Sequence, residues 1–300
     1  MALKQIKNKI IATKKTGQVT KAMESVSAVK MRKSQERAFL GRPYVHAALR
    51  ILGRLAKADH GMKHPLTTVR TEGSTLAVIV TSDKGLAGSV NSAVLKQAEV
   101  IFRENGITDV VAVGRKAVEF TVREKKTLLA SYTNISDGVT VEDVYDMSSK
   151  ALEAFATGNY KKVVVIYQNF ISTFEQIPVV RQVLPVVADE INDLMRGIKP
   201  KTGKFSSDRA EADVFAPYKV EPSPEEVLST LLPQLVQIMF YHALLESKAS
   251  EHSARMVAMK NATDKSKEMI KALTIKFNNQ RQAAITAEVS EITAGVESMK

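Results

Sequence analysis

The 300-residue chain has no cysteine and no tryptophan, and aromatic residues make up only 6% of it. Without cysteine there is no disulfide framework, no thiolate metal site and no cysteine nucleophile. Long apolar runs are scarce too. The longest uncharged apolar stretch, Val227 to Leu245, is broken by Ser229, Thr230, Pro233, Gln234, Gln237 and His242, and on sequence it falls short of a membrane-spanning helix. Glycine and proline are missing where their absence says most. From Gln234 to Ala294 there is neither, with Pro233 before the run and Gly295 after it, and Ala2 to Leu40 contains only Gly17. Both segments read as long helices, because these two residues are what interrupt helices. Some sixty residues at about 1.5 Å each make a helix of about 90 Å, longer than a domain of this size is wide. Its apolar stripe needs a partner, and the other breaker-poor end supplies one in an antiparallel pair.

What is present fits that reading. A hydrophobic content of 44% suits one mid-sized globular domain plus an elongated element. The net charge of +11 is unevenly placed: between Met1 and Lys57 there are fourteen Lys and Arg against Glu24 and Glu36, a net +12, so the rest of the chain sums to −1. Four readings compete for this basic end: nucleic-acid phosphates, anionic lipid, an acidic protein surface, or plain solvation of a rod's outer face. The start is Lys-rich and continues into the helix, unlike an Arg- and Ser-rich organelle leader.

The first helix carries Leu3, Ile6 and Ile10, then small or polar Thr13, Gly17 and Thr20, with Met23 and Val26 resuming the stripe. Small residues on a seam let helices approach closely. The pattern runs on through Tyr44, Leu49, Leu52 and Leu55, with Pro43 permitting a kink. In the last helix, a 3.5-residue template from Leu235 to Glu291 finds eleven apolar residues in seventeen positions, the exceptions being His242, His252, Thr263, Ser266, Gln280 and Glu291. The middle alternates. Strands are expected at Leu76 to Thr81, Asp109 to Gly114, Leu128 to Ala130 and Val163 to Gln168, with a further extended segment from Ile177 to Val187. Helices are expected at Asn91 to Glu104, Arg115 to Glu124 and Val141 to Phe155. Such alternation implies a mainly parallel sheet. The expected organisation is an N-terminal shaft helix 1–60, a linker 61–73, a central α/β domain 74–200, a connecting loop 201–224 and a C-terminal shaft helix 225–300. The fold class is α/β: a long antiparallel coiled coil of the terminal helices plus a Rossmann-like domain.

Three motifs carry candidate chemistry. Ser82-Asp83-Lys84-Gly85-Leu86-Ala87-Gly88-Ser89 is a Gly-containing strand-to-helix loop of the kind that presents backbone N–H groups to phosphate. It lacks the Gly-Lys-Ser/Thr of a phosphate loop and the third glycine of the dinucleotide fingerprint, so spacing favours Gly85 and Gly88 as a structural tight turn. The histidines His46, His60, His64, His242 and His252 show no metal spacing, and no acid–base pair marks a cleft. Arg281 to Glu288 puts long polar donors among small residues on the last helix, where adjacent Arg281 and Gln282 cannot both face a partner.

Taken together, Gln18-Val19-Thr20-Lys21-Ala22-Met23-Glu24, Lys30-Met31-Arg32-Lys33, Ser82 to Gly88, Ser250-Glu251-His252-Ser253-Ala254-Arg255-Met256, Met259 to Asp264 and Ile285 to Ile292 with Gly295 closely resemble the gamma subunits of F-type ATP synthases, essentially end to end. Departures are Ala87 where many members carry Cys, Ser89 where Gly is common, and Val296 where Ala usually follows the last Gly. The resemblance implies a non-catalytic rotor shaft that couples proton flow through a c-ring to ATP synthesis or hydrolysis on beta subunits. Its implied partners are three alpha and three beta subunits, an epsilon subunit and the c-ring, with no cofactor of its own. It places the chain peripherally on the cytoplasmic face of a bacterial membrane. Residues carried over as beta contacts are Met23, Lys30, Arg32, Lys33, Arg281, Gln282, Thr286 and Glu288, and as the membrane-side foot Tyr218 and Glu221. The alternative is a basic coiled-coil nucleic-acid binder, which would want interleaved aromatics on its basic face and lacks them.

Overall fold

The computed structural model describes residues 3–40, 47–48, 51, 64–105, 109–187, 221 and 223–299. They fall into two compact units, Met1–Ser27 with Arg255–Lys300, and Ala28–Ala254. Tyr44, Leu49, Leu52, Leu55, Tyr218 and most of the expected 201–224 loop lie outside the described residues.

In the larger unit, five strands alternate with helices. They are β1 (Ser74–Val80), α2 (Val90–Asn105), β2 (Asp109–Val113), α3 (Arg115–Arg123), β3 (Thr127–Tyr132), α4 (Val141–Ala156), β4 (Tyr160–Phe170) and β5 (Gln176–Leu184). The sheet order is β3-β2-β1-β4-β5, parallel throughout except for β5, which pairs antiparallel with β4. The central strands read as unbroken apolar runs because both faces are covered. Ala77, Ile79, Val110, Ala112, Val164 and Ile166 meet α2 and α3 through Val94, Ala98, Phe102 and Phe120. Alternate residues, among them Val78, Val80, Val111, Val165 and Tyr167, meet α4 and the long last helix. Helix α4 starts with Asp143 accepting from the Thr140 N–H at 2.8 Å, a capping box. At its other end Arg70 stacks 4.0 Å over the Phe155 ring and donates to the carbonyls of Phe155 (2.6 Å) and Tyr160 (3.0 Å), which satisfies an end that would otherwise face the core bare.

The long helix, α5, spans Pro224–Glu297 and keeps Pro233 inside it, as the expected 225–300 helix does. An interior proline costs about 3 kcal/mol. Here the burial of Leu228, Leu232, Leu235 and Val236 around it outweighs that cost. By length and composition α5 also contains an 18-residue window apolar enough to cross a membrane, with mean hydropathy 1.3, but half of that window is buried inside the protein, as in a core helix.

In the smaller unit, the part of α1 (Leu3–Leu40) up to Ser27 runs antiparallel to α5 from Arg255 onward. Thr13 Oγ1 meets Met269 Sδ at 3.9 Å, Gly17 faces Ser266, and the hydroxyls of Thr20 and Thr263 share a 2.7 Å hydrogen bond. A β-carbon on Gly17 would stand 3.3 Å from that of Ser266, so the small seam residues do bring the backbones close. Ile6, Thr20 and Ser27 are buried on α1, and Met259, Thr263 and Ser266 on α5. Val26, read as a seam residue, is 53% exposed. The seam steps by alternating fours and threes, so Thr20 is followed by Glu24 and Ser27, whereas three-residue steps to Met23 and Val26 drift round the helix.

Candidate functional site

The loop after β1 lies at the carboxyl ends of the parallel strands, the end at which a doubly wound sheet binds ligands, on the side of β1 that faces β2. In this chain the position is filled by the chain itself. The N-terminus of α3 receives the Asp83 carboxylate at the Arg115 N–H (3.0 Å) and Thr81 Oγ1 at the Ala117 N–H (2.8 Å). A side-chain carboxylate thus stands where a phosphate would bind. The other Asp83 oxygen takes the Asn134 N–H at 2.9 Å, while Asn91 accepts from the Ser82 N–H (3.0 Å) and donates to its hydroxyl (2.7 Å). Leu244, Ser247, Lys248 and Glu251 of α5 close the crevice, leaving a cleft with room for about one water molecule.

The two loop glycines differ. Gly88 holds φ +60, and an added β-carbon would lie 3.9 Å from Ala254. Gly85 has no positive φ and open space beside it, and the strained neighbour is Leu86 at φ 62. The expectation that both are needed for the turn is corrected at Gly85. Gly88→Ala should cost about 1 kcal/mol for the left-handed backbone, and Gly85→Ala should leave the thermal midpoint within a degree or two. Melting the two full-length variants side by side checks this.

A second cluster surrounds Asp137, in the connection between β3 and α4. One carboxylate oxygen accepts from Lys30 Nζ of α1 at 2.6 Å; the other lies 2.9 Å from His252 Nε2 and 3.8 Å from Lys248 Nζ, both of α5. Lys248 also donates to the Ile135 carbonyl at 3.0 Å. His252, a polar position of the 3.5-residue template with no metal spacing, is buried against this carboxylate. Burial alone would raise the Asp137 carboxyl; the Lys30 hydrogen bond and then the His252, Lys248 and Lys30 charges hold it down at about 2. A carboxyl lowered on folding contributes stability that is complete above its ordinary value of 3.8 and fades as pH falls through about 2. The full shift corresponds to about 2.5 kcal/mol, which partial exposure screens to about 1 kcal/mol. Asp137→Asn should therefore be less stable by about 1 kcal/mol at pH 7, with the gap closing near pH 2. Urea titrations at both pH values test the sign.

The carried-over contact residues separate into two groups. Met23 is half-buried beside the seam, Arg32 and Lys33 are exposed, and Lys30 is engaged by Asp137. Arg281, Gln282, Thr286 and Glu288 are all exposed. They lie beyond the seam: in the register of Thr20 on Thr263, Leu3 comes level with Gln280, so no described residue of α1 is left to cover α5 from Arg281 onward. The sequence reading places this stretch on a helix committed to its partner, and the register corrects that. On the uncovered length, Ile285, Val289, Ile292, Val296 and Met299 are more than half exposed and repeat at fours and threes, an apolar stripe of the kind that seats against another surface. Glu221 is exposed. Asp83 and Asp137 escape notice in sequence because their partners lie 32 and 51 residues away for one and 107 and 115 for the other.

A family profile described as ATP synthase matches residues 2–299. The ATP synthase gamma chain of Symbiobacterium thermophilum is 39% identical over 300 residues, covering 99% of this chain and 98% of that one. A structure of the Tetrahymena thermophila mitochondrial ATP synthase central stalk and c-ring matches with a TM-score of 0.58 at 26% identity, over 81% of this chain and 99% of that one. A chain of the Euglena gracilis mitochondrial ATP synthase, in a structure of its OSCP, F1 and c-ring, shares the fold with a TM-score of 0.64 at 18% identity, over 99% and 94% of the two chains. Coupled with a ligand crevice plugged by its own side chains and two long terminal helices paired in a coil, these likenesses place the chain in the ATP synthase gamma-chain family, a non-catalytic central rotor stalk.

Proposed function

We propose that the coil turns within a ring of three alpha and three beta subunits while the sheet unit stands on a c-ring with epsilon alongside. The observation that carries this reading is the stretch from Arg281 to Met299, the end of α5 and the two residues after it, wholly exposed and bearing on one side an apolar stripe and on others Arg281, Gln282, Thr286 and Glu288. A face of that kind is made to be covered. A single chain has no threefold symmetry, so it offers three chemically identical partners three different faces. Each angle then favours a different beta conformation, and only differences in contact energy between those states couple rotation to chemistry.

Two contact regions are proposed. Arg281 and Gln282, with Thr286 and Glu288, form the upper one. Met23, and Arg32 and Lys33 further along the sequence of α1, are assigned to the lower one against acidic beta segments, where Lys30 contributes only the charge that Asp137 leaves it. Within the smaller unit, Met23 and Arg281 are about 30 Å apart along the coil axis in the observed register, so the two regions are distinct grips. Glu221 and Tyr218 are assigned to the membrane-side foot, and the complex is placed on the cytoplasmic face of a bacterial membrane. Co-purification of the full chain with alpha and beta subunits, followed by native mass measurement, should return one copy per three of each. Three copies per assembly, or no assembly, would overturn the reading.

A further inference from the structure

We infer that Asp137 and the α5 residues Lys248, Ser250, His252 and Ser253 form a collar that keys the shaft helix against turning about its own axis inside the sheet unit, and that this is where torque passes between them. The inference rests on the rotor reading above. Four side chains within six residues of α5 each make a directed polar contact to the sheet framework. Lys248 donates to the Ile135 carbonyl (3.0 Å), Ser250 to the Gln168 carbonyl (3.1 Å), Ser253 to the Thr173 carbonyl (2.7 Å), and His252 meets Asp137 (2.9 Å). At about 100° per residue, Lys248 and His252 point one way and Ser250 and Ser253 another, the two pairs about 150° apart around the axis. The first pair is held by the β3–α4 connection, the second by β4 and its turn into β5. Gripped from nearly opposite sides, α5 cannot roll toward one set of bonds without stretching the other.

Apolar packing alone would hold such a helix less firmly against roll. The burial of Leu244, Leu245 and Ala249 supplies adhesion, but hydrophobic contact is non-directional, whereas a hydrogen bond weakens steeply once its angle is spoiled. Both jaws are themselves anchored. The Asn134 N–H is tied to Asp83 (2.9 Å), and the β4–β5 turn is closed by the Ser172 hydroxyl, which accepts from the N–H groups of Phe174 (3.3 Å) and Glu175 (3.1 Å). Asp137 adds a second function. One oxygen takes α5 through His252 and the other takes α1 through Lys30, so one carboxylate sets the rotational phase of both shaft helices. Asp137 is accordingly a positioning residue, which acts through Lys30 and His252.

The test compares ATP hydrolysis with proton pumping in vesicles containing the complete complex. The triple variant Asp137→Ala, Ser250→Ala, Ser253→Ala is expected to hydrolyse ATP within twofold of wild type, while protons pumped per ATP fall at least threefold. A merely structural role would lower both together through loss of assembled complex and leave their ratio unchanged. Because the chain has no native cysteine, Asp137→Cys with His252→Cys can be bridged by a short bifunctional maleimide, and bridging should restore the ratio. An unchanged ratio in the assembled triple variant, or no recovery on bridging, overturns the inference. If the triple variant fails to fold, the ratio in Asp137→Asn with Ser253→Ala decides in the same way. Failure of the rotor reading would look different, since wild-type chain would then not assemble with alpha and beta at all.

Discussion

Gly114→Ala should leave little folded protein. Gly114 follows β2 with φ +86, and a β-carbon built there lies 2.2 Å from the Thr81 carbonyl oxygen, 2.7 Å from its carbon and 2.9 Å from the Thr81 hydroxyl. Neither side can retreat. Thr81 N–H donates to the Val113 carbonyl at 2.8 Å, Gly114 N–H donates to the Tyr132 carbonyl at 2.7 Å, and Thr81 Oγ1 caps α3 through Ala117. Relief would break the crossing where β1, β2, β3 and α3 meet. We expect a loss of about 4 kcal/mol or more, the range that marks a backbone clash, from a total that for domains is about 5–15 kcal/mol. Gly158→Ala is the control, with φ +83 but nothing within 4 Å, so it bears only the left-handed backbone cost of about 1–2 kcal/mol. Urea unfolding of the two full-length variants separates close approach from backbone conformation. Equal midpoints would show that the Thr81 crossing yields.

Replacing both Arg281 and Gln282 with Leu should reduce coupled ATP synthesis at least tenfold while leaving the shaft helical. Charge-assisted hydrogen bonds contribute about 1.5–3 kcal/mol each, and a loss of about 1.4 kcal/mol is already tenfold. Helicity should survive because both side chains are exposed and the seam has ended by Gln280, and because Leu is as good a helix former as either. Circular dichroism of the variant chain and ATP synthesis in reconstituted vesicles are the two readouts. Wild-type synthesis with unchanged helicity would remove these residues from the upper grip.

Much of the fold is legible in the chain because it rests on period. A 3.5-residue template laid from Leu235 lands on buried or half-buried residues as far as Gln280, polar exceptions included, since seam geometry repeats whatever the side chain. The doubly covered strands announce themselves as apolar runs. The features that escape are set by distance or by unusual turn chemistry. The end of the seam depends on the register with a helix some 250 residues earlier. The antiparallel pairing of β5 hides behind a turn, Ile171 to Glu175, that has no Gly, Pro or Asn and is built by the Ser172 hydroxyl. The Asp83 and Asp137 ties link loops that no local pattern connects. The contact residues on the shaft are reachable only through resemblance, because an exposed Arg on a helix carries no mark of what will cover it.

Thr20 and Thr263 are 243 positions apart. At the usual pace of about 5–20 residues per second on the ribosome, the N-terminal strand of the coil emerges about 12–50 seconds before its mate exists. Through that interval Ile6, Ile10 and the row of lysines beside them are unshielded. The sheet unit can complete itself in the meantime, so the axle is the last part to be assembled, and a truncated chain would expose a sticky, strongly basic arm to whatever nascent or anionic material is nearby.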